Sequence, residues 1–306
     1  MKKVLVTLIN YHWSSFEHLK KCLNAYMEFT EYDLTIHILM PDDYALCSYT
    51  SGDLSEYSKL NIIKHYRPRD LGVWFEHEFK AIFWDNRNDY DYYIFSEDDV
   101  LITKENFNKF VETQNELKFP YVCGFMRYEL LPNDDYKYLF DQHPTHSIHR
   151  NLKGVAEHHI INGKAYISPN NVHQSCHIIT KEMMKHLVDN HKHYFEKVFH
   201  HPAGILEATA SDIYYSCDFV KVLPVDGIEK LCVHHLANKY VNISPHVYNR
   251  GSTPNEVKMV DKNFKTTFVT KVMIYLMHFR LKFLKNVDIS WIIKSMVWTT
   301  KLFKRS

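Results

Sequence analysis

The sequence predicts an α/β fold: a mixed, mainly parallel sheet flanked by helices, with amphipathic helices appended at the C-terminal end. Three observations lead there. Apolar strand-like runs alternate with segments of helical period from the N-terminus onward, the pattern of layered parallel sheets. Hydrophobic residues make up 45% and aromatic residues 15% of the 306, enough to bury a large core and too many for a disordered chain. The formal charge of +1 divides unevenly: residues 262–306 hold ten Lys/Arg and one acid, Asp288, which leaves residues 1–261 at −8. That split suggests an α/β body over 1–260 and a basic extension over 261–306.

Val4 to Ile9 is an apolar run bounded by Asn10 and reads as a buried first strand. Ser14-x-x-Glu17 reads as a capping box opening a helix with Phe16, Leu19, Leu23, Tyr26 and Met27 inward. Leu34 to Met40 is a second strand, ended by Pro41-Asp42-Asp43. Asp70 is placed to cap a helix carrying Phe75, Phe79, Ile82 and Phe83 on one face. Tyr90 to Phe95 is a third, aromatic strand, and a helix with Phe107, Phe110 and Val111 inward follows Thr103. Residues 120–180 read as strand plus long loops, with Asp134-Asp135 in a loop after Pro132-Asn133. Helices return over 180–190 and 207–215, then strands over 220–225 and 231–233. Ligands of such sheets bind outside the carboxyl ends of the strands, so polar residues there carry the functional weight.

Composition removes several function classes. The chain has 8 glycines and the closest two, Gly154 and Gly163, are nine residues apart. Neither G-x-G-x-x-G nor G-x-x-x-x-G-K-[ST] fits that spacing, which excludes the usual dinucleotide turn and the P-loop. The six cysteines contain no C-x-x-C, so we read them as reduced and mostly buried. An acidic body is not a nucleic-acid-binding profile. The short run after Met1-Lys2-Lys3 leads into Asn10-Tyr11-His12-Trp13 without a small-residue cleavage site, so it reads as a strand rather than a signal peptide. No apolar stretch reaches 18 residues, so no transmembrane helix is expected and the body reads as cytoplasmic.

The sharpest motif is Asp91-Tyr-Tyr-Ile-Phe-Ser-Glu97-Asp98-Asp99-Val-Leu-Ile-Thr103. Three acids sit directly at the carboxyl end of an apolar strand. Crowded carboxylates repel one another unless a cation neutralises them. Mg²⁺ or Mn²⁺ suits oxygen ligands and shares its shell with substrate phosphates. A solvated turn is the alternative, since Asp42-Asp43 and Asp134-Asp135 are also paired acids.

Here the sequence resembles GT-A-type glycosyltransferases, whose D-x-D signature follows an apolar strand and holds Mn²⁺ or Mg²⁺ against a nucleotide diphosphate. Glu97-Asp98-Asp99 is similar to that signature, with Glu in place of the first Asp. Tyr121-Val-Cys-Gly124-Phe125-Met126-Arg127-Tyr128-Glu129 and Asn171-Val-His173-Gln174 resemble later segments of small glycosyltransferase-like proteins, as does Leu231-Cys-Val-His234-His235-Leu-Ala-Asn238-Lys239-Tyr240, where many place a metal-binding His. The resemblance covers about residues 1–245. It implies a GT-A-like fold and transfer of a sugar from a nucleotide-diphosphate donor, UDP-sugar first, to a glycan or lipid-linked acceptor in cell-surface polysaccharide or glycolipid synthesis.

The roles follow from that expectation. Asp99 would ligate the metal, with Glu97 or Asp98 on the ribose or a metal-bound water and His235 or His234 as a further ligand. Inverting transfer needs a carboxylate to deprotonate the acceptor, for which Asp212 and Glu207 are the candidates. Arg127, Lys80 and Lys239 are candidates for the diphosphate charge. Thr7, Asn10, Tyr11, Asp42 and Asp43 are placed for the nucleotide, His77 and Trp74 for donor or acceptor, and Glu129, His173 and Gln174 for acceptor or sugar.

The extension shows Phe264, Phe268, Val272, Leu276, Phe279 and Phe283 at helical spacing among lysines, and a second such stripe after Asp288. Two amphipathic basic helices of this kind suit an anionic membrane interface, on the cytoplasmic face. Packing on the acidic body is the alternative. Two competing classes remain: a metal-dependent phosphoester hydrolase using the same acids and His, and a non-catalytic membrane-docked binding protein.

Overall fold

Val4, Val6 and Leu8 alternate with Leu5, Thr7 and Ile9, and every one is buried. A strand with apolar groups on both faces must be covered on both. The computed structural model places this strand, β1 (Lys2–Ile9), at the centre of the main sheet. It describes residues 1–46, 54–132, 134–139, 157–169, 172–196, 205–241 and 249–250, with the backbone alone at 45, 46, 73, 134, 205–208, 249 and 250.

Helix α1 (Phe16–Tyr26) leads to β2 (Tyr32–Pro41), then β3 (Asn61–Arg67), helix α2 (Glu78–Asp85) and β4 (Tyr92–Glu97). β3, β2, β1 and β4 are parallel neighbours. β5 (Val100–Leu101), α3 (Lys104–Glu116), β6 (Tyr121–Cys123), β7 (Met126–Leu131), β8 (Asp134–Leu139), β9 (Glu157–Ile161) and β10 (Lys164–Ser168) follow. β11 (Cys176–Thr180) returns antiparallel to β4 and completes the five-stranded order β11-β4-β1-β2-β3. Then come α4 (Lys181–Asn190), α5 (Ile205–Tyr215), β12 (Val220–Pro224), β13 (Cys232–His235) and β14 (Asn249–Arg250). Two further mixed sheets run β6-β12-β10-β9 and β14-β8-β7-β13-β5. The expected α/β class with a mainly parallel central sheet is what the chain forms.

One face of the main sheet packs Val4, Val6 and Leu8 against Phe16, Leu19 and Leu23 of α1 and Phe107 and Phe110 of α3. The other packs Leu5, Ile9 and Phe95 against Phe79 and Phe83 of α2, Met184 and Leu187 of α4, and Ile213 and Tyr214 of α5. Thr103 and Asn106 form a reciprocal capping box on α3, and the Thr180 hydroxyl accepts from Met183 N–H on α4.

Four readings change. The Ser14–Glu17 box does not form: Ser15 precedes α1 and its hydroxyl serves Asp98 instead. Asp70 does not open a regular helix, because a 3₁₀ segment, Arg69–His77, kinks at Gly72 (φ 53°) before α2 begins at Glu78. β3 is an additional strand, and Asp134 opens β8 rather than lying in a loop. Cys22, Cys123, Cys176, Cys217 and Cys232 are free and buried. Residues 251–306 lie outside the described residues, and among those described no helix is long and apolar enough to cross a membrane.

His177 is fully buried on β11, with Nε2 3.1 Å from the Tyr194 hydroxyl and Nδ1 3.3 Å from the Ala210 carbonyl. Burial pushes its imidazole down to about 3, with the nearby Lys80 charge adding and Ala210 opposing. A base depressed in the folded state contributes stability above its unfolded value, near 6.5, that is lost as pH falls toward 3. At about 1.4 kcal/mol per unit, lowering pH from 6.5 to 5 costs about 2 kcal/mol through this group. Urea unfolding at the two pH values is expected to show a smaller difference in His177→Gln than in the wild type.

Candidate functional site

β4 delivers the acidic triplet, and adjacent acids turn different ways. Asp98 N–H donates to the Ile9 carbonyl (3.1 Å), and the Asp98 carboxylate accepts from Asn10 Nδ2 and from Ser15 Oγ at the entry to α1. Asp98 is 7% exposed, and burial, then the Asp99 charge, push it up to about 8 against those hydrogen bonds. It ties β4 to β1 and α1.

Asp99 faces β13. Its Oδ2 is 3.2 Å from His235 Nε2, while its buried Oδ1 has no hydrogen-bond partner among the described residues. His235 Nδ1 lies 2.6 Å from Glu129 Oε1, and Glu129 Oε2 accepts from Val241 N–H at 2.6 Å. Asp99, His235 and Glu129 form a carboxylate–imidazole–carboxylate line. Burial acts to lower the His235 pKa, but hydrogen bonds to Asp99 and Glu129 outweigh it and the net direction is up. Burial likewise acts to raise Asp99, and the His235 hydrogen bond and charge, with Lys239 and Arg127, bring it below the usual range.

Glu97 ends β4. Burial and then Asp99 push it up to about 7, opposed by Arg127 and by a hydrogen bond with Ser175. Arg127, 5% exposed on β7, donates to Ser175 Oγ at 2.5 Å. Ser175 Oγ is 3.1 Å from His173 Nε2, and His173 Nδ1 is 3.3 Å from Ser211 Oγ on α5. Ser175 sits at φ 49°, a left-handed backbone that a non-glycine residue adopts only when its surroundings hold it there. A polar chain thus runs from the acids to α5.

Several expectations meet a different placement. Asp212 does not face the acids: its Oδ2 is 2.9 Å from Lys80 Nζ and its Oδ1 accepts from Ser216 Oγ at 2.6 Å. The side chains of Lys80 and Asp212 are 1% and 7% exposed, and Lys80 also lies 4.3 Å from the Tyr194 ring centroid. Burial acts to raise Asp212, and Lys80 with Ser216 pulls it below its ordinary value, which makes it a weak base. This pair fastens α2 to α5, so neither member is free for donor or acceptor. Glu129, 0% exposed, supports His235 rather than meeting an acceptor. Gln174 is also fully buried, accepting from Phe125 N–H (2.8 Å) and donating to the Tyr214 hydroxyl (2.9 Å). His234 stacks on Tyr128 at 4.9 Å, lies 3.1 Å from Asn238 Oδ1, and lines a cleft with Lys137 and Thr103 rather than the acidic site. Thr7 and Asn10 are 0% exposed, so neither presents a surface to a nucleotide. Residue 207 stands one turn before Ser211 on α5, and the Glu207 side chain lies outside the described residues.

At the ends of β1 and β2, Tyr11 packs edge-on against Phe75 at 5.2 Å. Arg69 lies over Tyr11 (5.3 Å) and Tyr44 (5.4 Å) and clasps Asp43 through two hydrogen bonds of 2.8 and 3.0 Å. Asp42 is exposed beside this group, and His77 is buried with its ring 5.1 Å from Trp74. Ser175, Arg69 and Tyr240, whose ring stacks on His235 at 5.6 Å, escaped the sequence reading of site residues. Isolated Ser, Arg and Tyr carry no spacing signal, and only the fold brings them to the site.

Asp99 and His235 offer the donor types that Mn²⁺ or Mg²⁺ takes: Asp99 Oδ1 is an orphaned buried oxygen, and its Oδ2 lies 3.2 Å from the His235 imidazole. Glu97 is a neighbouring carboxylate that feels the Asp99 charge, but its oxygens do not converge with theirs in this structure.

No family model matches the chain, and no curated protein sequence matches it. Among solved structures it is similar to residues 1–349 of S. aureus TarS at 13% identity, over 74% of this chain and 58% of that one, with a TM-score of 0.41. It is also similar to mouse xyloside xylosyltransferase 1 in the apo form at 10% identity, over 71% of this chain and 83% of that one, with a TM-score of 0.38. The chain therefore spans a little over half the length of the TarS chain.

Removing one member of a buried ion pair strands the other charge, at about 3–5 kcal/mol, whereas replacing both with apolar groups costs far less. Asp212→Ala is expected to lose that much stability in urea unfolding. The double variant Lys80→Met/Asp212→Leu is expected to recover most of it.

Proposed function

We propose that this chain is a metal-dependent, inverting glycosyltransferase that moves a sugar from a nucleotide-diphosphate donor, UDP-sugar first, to a glycan or lipid-linked acceptor. The observation that carries the reading is the Asp99 carboxylate at the end of β4, with one buried oxygen unpartnered and the other on His235. Asp99, with Glu97 moved toward it and His235 giving up its Nε2 proton, would hold Mn²⁺ or Mg²⁺. Such an ion would supply positive charge to neutralise the donor diphosphate as it leaves. Glu129 holds His235 through Nδ1 and so fixes which ring nitrogen faces Asp99.

The rest falls to the chain. Lys239 and Arg127 place positive charge near Asp99 and Glu97, where a diphosphate would sit. The aromatic surface of Tyr11, with exposed Asp42, receives the nucleotide at the ends of β1 and β2. The acceptor hydroxyl attacks the anomeric carbon, the bond from that carbon to the diphosphate oxygen breaks, and its electron pair leaves with the diphosphate. The hydroxyl proton passes to a carboxylate. With both Asp212 oxygens engaged, we assign that base to Glu207, one turn from the Ser211 that meets His173. The basic extension over 261–306 would bring the enzyme to an anionic membrane that carries the acceptor.

Thermal unfolding tests this reading. A ligand at 100 times its Kd stabilises by about 2.7 kcal/mol, and each kcal/mol raises Tm by about 2–4 °C in domains of 150–250 residues. Nucleotide-diphosphate sugars with Mn²⁺ are expected to raise Tm, and to do so neither without the metal nor in Asp99→Asn. If no nucleotide diphosphate gives a metal-dependent shift, the proposal is wrong. Glu207→Gln is expected to keep the shift and lose transfer.

A second expectation concerns Glu129. Partners of a metal-binding His typically contribute 10–100-fold in metal affinity. Glu129→Gln should therefore raise the Mn²⁺ concentration needed for the half-maximal Tm shift by about that factor.

A further inference from the structure

His191, His193 and Cys217 come together at the far end of α5, and the proposed transfer uses none of the three. One ligand atom from each lies within 4.8 Å of the other two, the one such grouping of three His, Cys, Asp or Glu residues among those described. His191 directly follows α4, and His193 lies in the 3₁₀ turn Lys192–Phe195. Cys217 follows α5 by two residues. The two segments are 24 residues apart in sequence between His193 and Cys217.

Backbone hydrogen bonds order the segments that carry the donors. His191 N–H donates to the Leu187 carbonyl at 2.8 Å, Tyr194 N–H to the His191 carbonyl at 2.9 Å, and Ser216 N–H to the Asp212 carbonyl at 2.8 Å. His193 Nε2 lies 3.2 Å from the Ser216 carbonyl, so the turn and the helix end already meet at the residue before Cys217. Asp218 is next in the chain, at φ 60°, and its Oδ2 lies 3.6 Å from His191 Nε2. His191 is 8% exposed, Cys217 is fully buried, and Asp218 is at the surface, so the cluster is closed inside and open to ion entry from one side.

The chemistry of this donor set differs from that of the acidic site. Two imidazoles and a thiolate favour a borderline-soft ion over Mg²⁺ or Mn²⁺. Zn²⁺ takes Cys and His in tetrahedral sites with four ligands. We propose that His191, His193 and Cys217 bind a structural Zn²⁺, with the Asp218 carboxylate offering the fourth ligand. On ligation the Cys217 thiol gives its proton to solvent and the sulfur lone pair forms the bond to zinc. No redox change is involved.

The consequence is mechanical. The clasped turn carries Tyr194, whose hydroxyl meets His177 and whose ring faces Lys80. Zinc at this point would pin that turn to the end of α5, and with it the buried Lys80–Asp212 pair that fastens α5 to α2.

Cobalt substitution on the full chain tests the proposal and separates it from the acidic site, whose proposed ligands include no cysteine: the nearby Cys22 thiol is buried and donates to the Asp98 carbonyl. Chelator-treated protein, kept reduced and in excess Mg²⁺, is titrated with Co²⁺. One equivalent is expected to produce thiolate-to-cobalt charge-transfer absorption, displaced by Zn²⁺. The band is expected to vanish in Cys217→Ser, to weaken in His193→Gln, and to persist unchanged in Asp99→Asn. His193 is half-buried, so its variant reports on the site even where Cys217→Ser fails to fold. Absence of a thiolate band from the wild-type protein would overturn the proposal, as would a band that survives in either Cys217→Ser or His193→Gln at full strength. Loss of the band in Asp99→Asn would overturn it too, because the sulfur would then belong to another site.

Discussion

The line from Asp99 through His235 to Glu129 is the constraint on which the rest of the site depends. Its members come from three places in the chain: the turn after β4, the end of β13, and β7. Backbone pairing runs alongside it, since His235 registers with Val100 and Leu236 N–H donates to the Asp99 carbonyl at 2.7 Å. The central sheet and the β14-β8-β7-β13-β5 sheet are thereby joined at the carboxyl end of β4. Buried charges are tolerable only when paired, and removal of one partner costs several kcal/mol. His235 is the group that compensates two carboxylates at once, which is why its pKa moves up despite burial.

The same rule explains how three consecutive acids coexist. They do not share one space. Asp98 is turned to Asn10 and Ser15 beneath β1, where burial raises it to about 8 and so leaves it largely protonated at neutral pH. Glu97 leans on Arg127 and Ser175, and Asp99 on His235. Of the three, only Asp99 keeps a buried oxygen without a partner among the described residues. The acidic motif thus contains a structural acid beside one still short of positive charge. A second pairing, Lys80 with Asp212, fastens the α2–α5 side of the sheet and has its own enclosure of Tyr194 and His177. Charge at the sheet's carboxyl end and charge in the helical layer are separate systems, linked by the Arg127–Ser175–His173–Ser211 chain.

What the sequence could reveal follows from this division. β1, β2, β4 and the helices α1, α3, α4 and α5 were legible because each buries a long apolar face, and apolar period is a local signal. β3 was not, since it is an edge strand with no fully buried residue and its side chains mix Lys, His and Arg among Ile and Tyr. The motif Glu97-Asp98-Asp99 was legible as a cluster, but not the direction each carboxylate takes. Choosing between His234 and His235 needed the strand pairing that turns one toward Asp99 and the other onto Tyr128. The Glu129–His235 contact spans 106 positions and the Lys80–Asp212 contact 132. Nothing local to either residue encodes a partner that distant, so Asp212 read as an available acid when it is one half of a buried pair.

The scarcity of glycine is explained by the same architecture. Nucleotide phosphates are often cradled by backbone N–H groups in glycine-rich turns. The described glycines are spent differently. Gly72 and Gly227 adopt positive φ at turns, and Gly124 makes room for Lys221, whose Cγ and Cε would lie 2.5 Å from any Cβ placed there. None of them opens a helix at the carboxyl end of β1 or β4, where a phosphate cradle would be built. On the proposed reading, a diphosphate bound at that edge is held by side chains and by an ion that side chains recruit. Lys239 and Arg127 supply fixed charge, but both also act on the acids already there, helping to hold Asp99 down, while Arg127 opposes the rise of Glu97. Two cations shared among Glu97, Asp99 and an incoming diphosphate leave the edge net negative. On the proposed reading, a divalent cation arriving with the donor is what makes the binding electrostatically favourable, and the unpartnered Asp99 oxygen is the atom left to receive it.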